Sequence, residues 1–161
     1  MQRPLFPYVQ KRHRVSLLSA RLWLRHMLFW GGAIVVGLAA TAFALGSDRA
    51  QALFREVVAA SPWLPLLLTP LTLAAVAALT RRYFRGAEGS GIPQTIAAIR
   101  MPEGSGRDAV LSLRVAFGKM LLTCVGLAGG ASVGREGPTV QVGAALLYNL
   151  RWLMRFPRHL L

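Results

Sequence analysis

The chain has 161 residues, of which 54% are hydrophobic and 16% are charged. Soluble domains carry about 25% charged residues, so this composition predicts a membrane protein and argues against a soluble enzyme or binding module. The net charge is +13, but the basic residues flank the apolar runs and form no patch interleaved with aromatic residues, so nucleic-acid binding is not expected.

Residues 1–26 form a basic N-terminal segment, and a charge-free run over residues 27–46 follows it. The run is long enough to cross a bilayer as a helix. Because basic flanks favour the cytoplasm, we expect a cytoplasmic N-terminus and a loop over residues 47–56 on the opposite side. The alternative is a secretory signal, since residues 44–46 weakly resemble a cleavage site, although the apolar core is long for one.

A second charge-free run covers residues 57–80. It contains three prolines: Pro62, Pro65 and Pro70. The first two are predicted to shape the start of this helix and the third to kink it, which membrane helices tolerate when neighbours satisfy the freed carbonyls. Arginines at residues 81–85 place the end of the run in the cytoplasm, so the two runs form a helical hairpin.

Glycine and proline interrupt residues 81–106 repeatedly, and the helix predicted there is a short one over residues 92–100. An apolar run over residues 115–133 follows, with Lys119 as its only charge. Three glycines at every fourth position have the spacing that lets membrane helices pack closely: Gly126, Gly130 and Gly134. A further apolar helix is predicted over residues 139–150. The fold class is therefore all-α, in a polytopic membrane protein.

Two short segments share one arrangement: Gly89-Ser90-Gly91-Ile92-Pro93 and Gly134-Arg135-Glu136-Gly137-Pro138. Each places glycine, a polar or charged residue and proline at the start of an apolar helix. Such a helix start offers backbone N–H groups without intrahelical partners and the positive end of the helix dipole. Glycine lets this backbone come close to a bound species. The two turns are therefore predicted to bind an anion within the membrane protein.

Glu136 is the only acidic residue after Asp108, and a charge at a bilayer centre costs about 2.5–3.5 kcal/mol. Ionised, its carboxylate takes the place of an external anion at the helix start; protonated, it loses that attraction and swings away. This predicts a gate that also carries protons. The alternatives are a static ion pair with Arg135 or Lys119, or an ordinary acidic residue of a first helical turn.

The other polar residues also have two interpretations each. Ser90 donates a hydrogen bond to a dehydrated anion or caps the helix over residues 92–100. Lys119 and Arg135 supply positive potential to an anion path, or Lys119 extends to the membrane interface. Cys124 has no disulfide partner and is expected to be a small buried apolar residue. The sequence has no metal-ligand spacing and no nucleophile–base pair, so no metal, cofactor or enzyme activity is expected.

The two glycine-rich segments, in this order, resemble the first two signature motifs of the CLC family of chloride channels and chloride/proton antiporters. Lys119 and the segment Gly137-Pro138-Thr139-Val140-Gln141-Val142-Gly143 extend the likeness, which covers about residues 25–155. The resemblance implies a partial CLC-type fold with broken and re-entrant helices. Residues 1–26 would be a basic cytoplasmic segment, and residues 27–161 a truncated transmembrane chloride-transport domain.

The resemblance implies six chloride-binding residues: Ser90, Gly91, Ile92, Arg135, Glu136 and Gly137. Ser90 would coordinate the central chloride, and serine at this position favours chloride over nitrate or fluoride. Glu136 would be the gating glutamate, which competes with chloride and passes protons in antiporter members. Chloride would be the transported ligand, with protons and membrane lipid as further partners. The expected location is a bacterial inner membrane, crossed several times.

The family's chains are far longer than this one and complete the site with a later Gly-Phe-Pro type turn and a tyrosine from a late helix. No such segment follows Arg155, and the helices of the family's homodimer interface and its internal proton-accepting glutamate are also missing. The expectation is therefore an N-terminal fragment that conducts nothing alone. Channel and antiporter are both compatible with these residues. The alternative function is a non-conducting membrane subunit that co-assembles with a full-length transporter and does not require Glu136.

Overall fold

The computed structural model describes residues 20–102 and 104–153, and this part of the chain contains helices and no strand. The six helices are α1 Ala20–Ala60, α2 Leu64–Tyr83, α3 Ile92–Arg100, α4 Ser105–Val110, α5 Leu113–Ala128 and α6 Glu136–Leu153. The all-α prediction is confirmed. Most of the basic N-terminal segment predicted over residues 1–26 lies outside the described residues.

Helix α1 runs without interruption from Ala20 to Ala60, so the predicted loop over residues 47–56 is wrong. Phe43, Ser47 and Ala50 recur at helical spacing and are buried, whereas Asp48 between them is exposed. One face of this polar stretch therefore continues the buried stripe of the apolar part, and a charged residue on the opposite face does not end a helix. The second helix begins at Leu64, after a short turn that contains Pro62.

Helix α2 has the predicted proline-shaped start, because Pro65 lies in its first turn and Pro62 lies in the turn that precedes it. A proline at this position leaves no hydrogen bond unmade, since the first N–H groups of a helix have no intrahelical acceptor. The helix continues through Pro70 to Tyr83. The prolines thus mark the start of α2 without dividing it.

Three helical stretches among the described residues are long and apolar enough to cross a membrane: Phe29–Ala60, Leu64–Tyr83 and Gly106–Ala128. Large apolar side chains on α1 and α2 point outward, with Leu38 67% and Leu67 71% exposed. Such a surface needs a lipid or protein neighbour. The chain is therefore an integral membrane protein that crosses the bilayer more than once.

Helix α5 packs against α1, α2 and α6, and glycine permits its closest contacts. A Cβ atom added at Gly118 would lie 2.1 Å from the Phe84 ring, and one at Gly129 would lie 2.4 Å from Thr72. The predicted glycine face is wrong, because α5 ends at Ala128 and only Gly126 of that set is helical. Gly134 has nothing within 4 Å of its added Cβ. The close packing involves Gly118, Gly129 and one glycine of the predicted set, Gly130, which lies just beyond the helix end against Phe54 of α1.

Two further contacts fix the helices behind the glycine-rich turns. A buried apolar cluster joins α3, the turn between α4 and α5, α5 and α6: Ala98, Leu111, Ala116, Val142 and Ala145. Cys124 on α5 is half-buried, and its Sγ lies 3.9 Å from the Ser47 hydroxyl of α1. The shared cluster holds α3 and α6 against each other behind the two turns.

Candidate anion site

The two glycine-rich turns are in direct backbone contact. A Cβ atom added at Gly137 would lie 2.2 Å from the Ser90 carbonyl oxygen, and one at Gly91 would lie 2.7 Å from the Gly137 carbonyl oxygen. No side chain fits at either position, so the two glycines allow the approach. This contact brings together the segments around Ser90 and Glu136, which are separated by more than forty residues in sequence.

Helix α3 begins at Ile92, as predicted, and Gly91 precedes it with a φ of 99°, which is left-handed and favours glycine. The Gly91 N–H donates to Gln94 Oε1 over 3.0 Å, and the Thr95 hydroxyl donates to the Gly91 carbonyl over 2.9 Å. Gln94 therefore caps the helix, and the alternative role of Ser90 as its cap is wrong. Within the described residues the Ser90 hydroxyl has no hydrogen-bond partner.

Helix α6 begins at Glu136, three residues before the predicted start, with Pro138 in its first turn. The Thr139 N–H and hydroxyl both donate to the Arg135 carbonyl, over 3.1 and 2.8 Å. The N–H groups of Glu136 and Gly137 have no acceptor inside the helix, because the first turn of any helix lacks one. This end of α6 therefore carries partial positive charge beside the start of α3.

Lys119 is buried, with 3% of its surface exposed, so the alternative of a side chain extending to the interface is wrong. Its Nζ donates to the carbonyls of Ala87, Glu88 and Gly89 over 2.8, 3.3 and 2.5 Å. The ammonium thus gathers three carbonyl oxygens that would otherwise repel an anion near Ser90. Its charge is matched by good acceptors, as a buried charge requires.

Gln141 is a residue that the sequence analysis quoted only as part of a motif. Its side chain is completely buried on α6, and its Nε2 donates to the carbonyls of Gly86 and Val110 over 2.9 and 3.2 Å. A Cβ atom at Gly91 would lie 3.0 Å from it. Gln141 therefore ties the loop before α3 to α6. The available signal was an amide side chain within a mostly apolar stretch of this helix.

Arg135 and Glu136 are neighbours in sequence but have different surroundings. The Arg135 guanidinium crosses to α1, where Nη1 lies 2.6 Å from Asp48 Oδ1. Across residues 20–102 and 104–153, no hydrogen bond or ion pair engages the Glu136 carboxylate. The alternative of a static pair between Glu136 and Arg135 or Lys119 is therefore wrong, and Glu136 is instead the first residue of α6.

One open cleft of about 1050 Å³ unites these features, between α2, α5 and the two turns. Five of the six predicted anion-site residues line it: Ser90, Ile92, Arg135, Glu136 and Gly137. Lys119 lines it as well, whereas Gly91 lies behind the lining, against Gly137. The described part of the chain holds no cluster of metal-ligand side chains. The cleft therefore offers hydroxyl and backbone N–H donors, one buried cation and one unpaired carboxylate.

Comparison with known proteins decides the family. Residues 72–160, more than half of the chain, match the family described as voltage gated chloride channel. The chain belongs to the CLC family. This CLC chain is also 32% identical, over 130 residues, to a putative chloride channel protein ClcB-like from Ralstonia nicotianae. The aligned part is 81% of this chain and 26% of the relative, so the CLC chain spans about a quarter of that protein's length. No solved structure matches it.

Proposed function

We propose that this chain takes part in chloride transport across a bacterial inner membrane, and that chloride binds in the cleft between the N-termini of α3 and α6. The observation that carries the proposal is the backbone contact between Gly137 and Ser90. It sets two helix starts side by side on one cleft, which is a site for an anion that needs no fixed cation. Membership of the CLC family and the name of the Ralstonia relative support chloride as that anion.

In this proposal the Ser90 hydroxyl donates to chloride, because no other group among the described residues uses it. The first-turn N–H groups of Ile92 and Gly137 supply further donors. Lys119 contributes in two ways: it adds positive potential, and it holds the carbonyls before Ser90 away from the anion. Arg135 lines the path with its backbone while its guanidinium is engaged by Asp48.

Glu136 acts as the gate. Its carboxylate stands at the positive end of α6, where it competes with chloride for the same N–H donors. Since no described group holds it, the side chain is free to leave when it takes up a proton. Proton uptake is thereby coupled to chloride movement. Intramembrane carboxylates carry protons in this way in pumps and transporters. The basic residues that precede α1 support a cytoplasmic N-terminus in contact with lipid headgroups.

The test is chloride efflux from liposomes that contain the protein expressed from its own gene. Efflux should depend on external pH, and Glu136→Gln should flatten that dependence. Glu56→Gln is the matched control, since Glu56 is an exposed carboxylate of α1 without a partner among the described residues. An identical pH profile in wild type and Glu136→Gln would contradict the gate. The alternative function, a non-conducting subunit that only associates with another transporter, predicts the same pH profile in Glu136→Gln as in wild type.

A further inference from the structure

The Arg135–Asp48 ion pair has a place in the fold that stability does not explain. It joins the turn before α6 to the middle of α1, and the same Nη1 lies 3.5 Å from the Ala44 carbonyl oxygen. The Arg135 side chain is 42% exposed and that of Asp48 is 61% exposed. A pair this exposed adds little to the free energy of unfolding. The main consequence of the pair is therefore the position in which it holds the Arg135 guanidinium, against α1.

The alternative partner of that guanidinium is the Glu136 carboxylate, one residue further along the chain. The other charged groups around this turn come from several elements: Arg81 of α2, Glu88 of the loop before α3 and Lys119 of α5 line the same cleft, Arg55 of α1 lies beside Gly134, and Asp48 of α1 contacts Arg135. The one charged residue of α3, Arg100, lies at the opposite end of that helix. Lys119 is occupied by three carbonyls. Arg135 is the cation next to Glu136 in sequence, and Asp48 is the carboxylate that holds its guanidinium.

We propose that Asp48 is a positioning residue that holds the Arg135 guanidinium on α1 and so keeps the Glu136 carboxylate free to exchange with the anion. The proposal rests on the gate role of Glu136. Without Asp48, Arg135 turns toward Glu136, and a negative charge is also lost from the surroundings. Both changes favour the ionised form of the Glu136 carboxylate, so the gate opens only at a lower external pH. An opposite charge within 4–6 Å shifts a carboxyl titration by about 1–3 units.

The experiment measures chloride efflux from liposomes, with the protein expressed from its own gene, against external pH. For Asp48→Asn we expect the pH of half-maximal efflux to fall by about one unit. Arg135→Gln should move it upward, because the unpaired Asp48 charge then remains. The double variant should return close to the wild-type value, since neither charge is left. Asp48→Glu should restore the pair and the wild-type midpoint.

A purely structural role predicts a different result, in which Asp48→Asn lowers the amount of active protein and leaves the midpoint unaltered. That result overturns the proposal, as does an equal shift in Glu56→Gln, the partner-free carboxylate on the same helix. Should Asp48→Asn not be recovered from the membrane, Arg135→Gln alone decides, and a fixed midpoint in it rejects the idea. If efflux titrates in wild type but not in Glu136→Gln, the gate stands even when the Asp48 proposal fails.

Discussion

Replacing Gly137 with alanine tests whether the contact between the two turns is needed. The added Cβ would lie 2.2 Å from the Ser90 carbonyl oxygen, whereas ordinary contact begins near 3.4 Å. The turns must therefore separate by roughly 1 Å in a region as densely packed as a crystal. Overpacking of this kind costs about 1–3 kcal/mol. Helix propensity alone has the opposite sign, since alanine is favoured over glycine by about 1 kcal/mol in a helix interior.

We expect Gly137→Ala to lower the free energy of unfolding by about 2 kcal/mol and to weaken chloride binding at least tenfold. Unfolding is followed in detergent by titration with denaturant, and chloride binding by calorimetry. Gly37→Ala is the control, because Gly37 is also helical and its added Cβ meets nothing within 4 Å. Equal stability and chloride affinity in Gly137→Ala and wild type would refute the backbone contact.

Three further variants test the groups around the cleft. Lys119→Met should cost about 2–4 kcal/mol in detergent unfolding, since the carbonyls of Ala87, Glu88 and Gly89 lose their shared donor, and wild-type stability would argue against that network. Gln141→Leu leaves the Gly86 and Val110 carbonyls without this donor and should cost about 1–3 kcal/mol by the same assay; no loss would mean that the amide does not bind the loop. Ser90→Ala should weaken chloride binding by about tenfold and reduce chloride-over-nitrate selectivity, with membrane insertion unaffected. Selectivity that does not change in this variant counts against Ser90 as a ligand.

The short-range features of the fold were predictable from the sequence. Helix α3 has the predicted bounds, because Gly91 and Pro93 act on the backbone at their own positions. The start of α6 was predicted to within three residues, because glycine and proline mark that turn in the same way. The glycine-rich turns were recognised as helix starts through glycine and proline alone, since these residues restrict or free the dihedral angles locally.

The errors arose where a local feature was taken as a boundary or where the partner is distant. A loop was predicted over residues 47–56 because of charged residues such as Asp48, although a helix accommodates such residues on its exposed face. Lys119 and Gln141 bind backbone carbonyls 30 to 55 residues away, and carbonyls have no sequence signature. The spacing of Gly126 and Gly134 predicted a helix face, but the helix ends between them. Such long-range pairs follow from the packing of α5 and α6.

The most direct measurement of the central claim is anomalous diffraction from crystals of the protein grown in bromide, which replaces chloride and can be located by its own signal. The account predicts a bromide peak in the cleft, within hydrogen-bond reach of the Ser90 hydroxyl and of the first-turn N–H groups of α6. The peak should strengthen in Glu136→Gln, which lacks the competing charge. Bromide bound elsewhere on the protein, with no peak between the two helix starts, would contradict it.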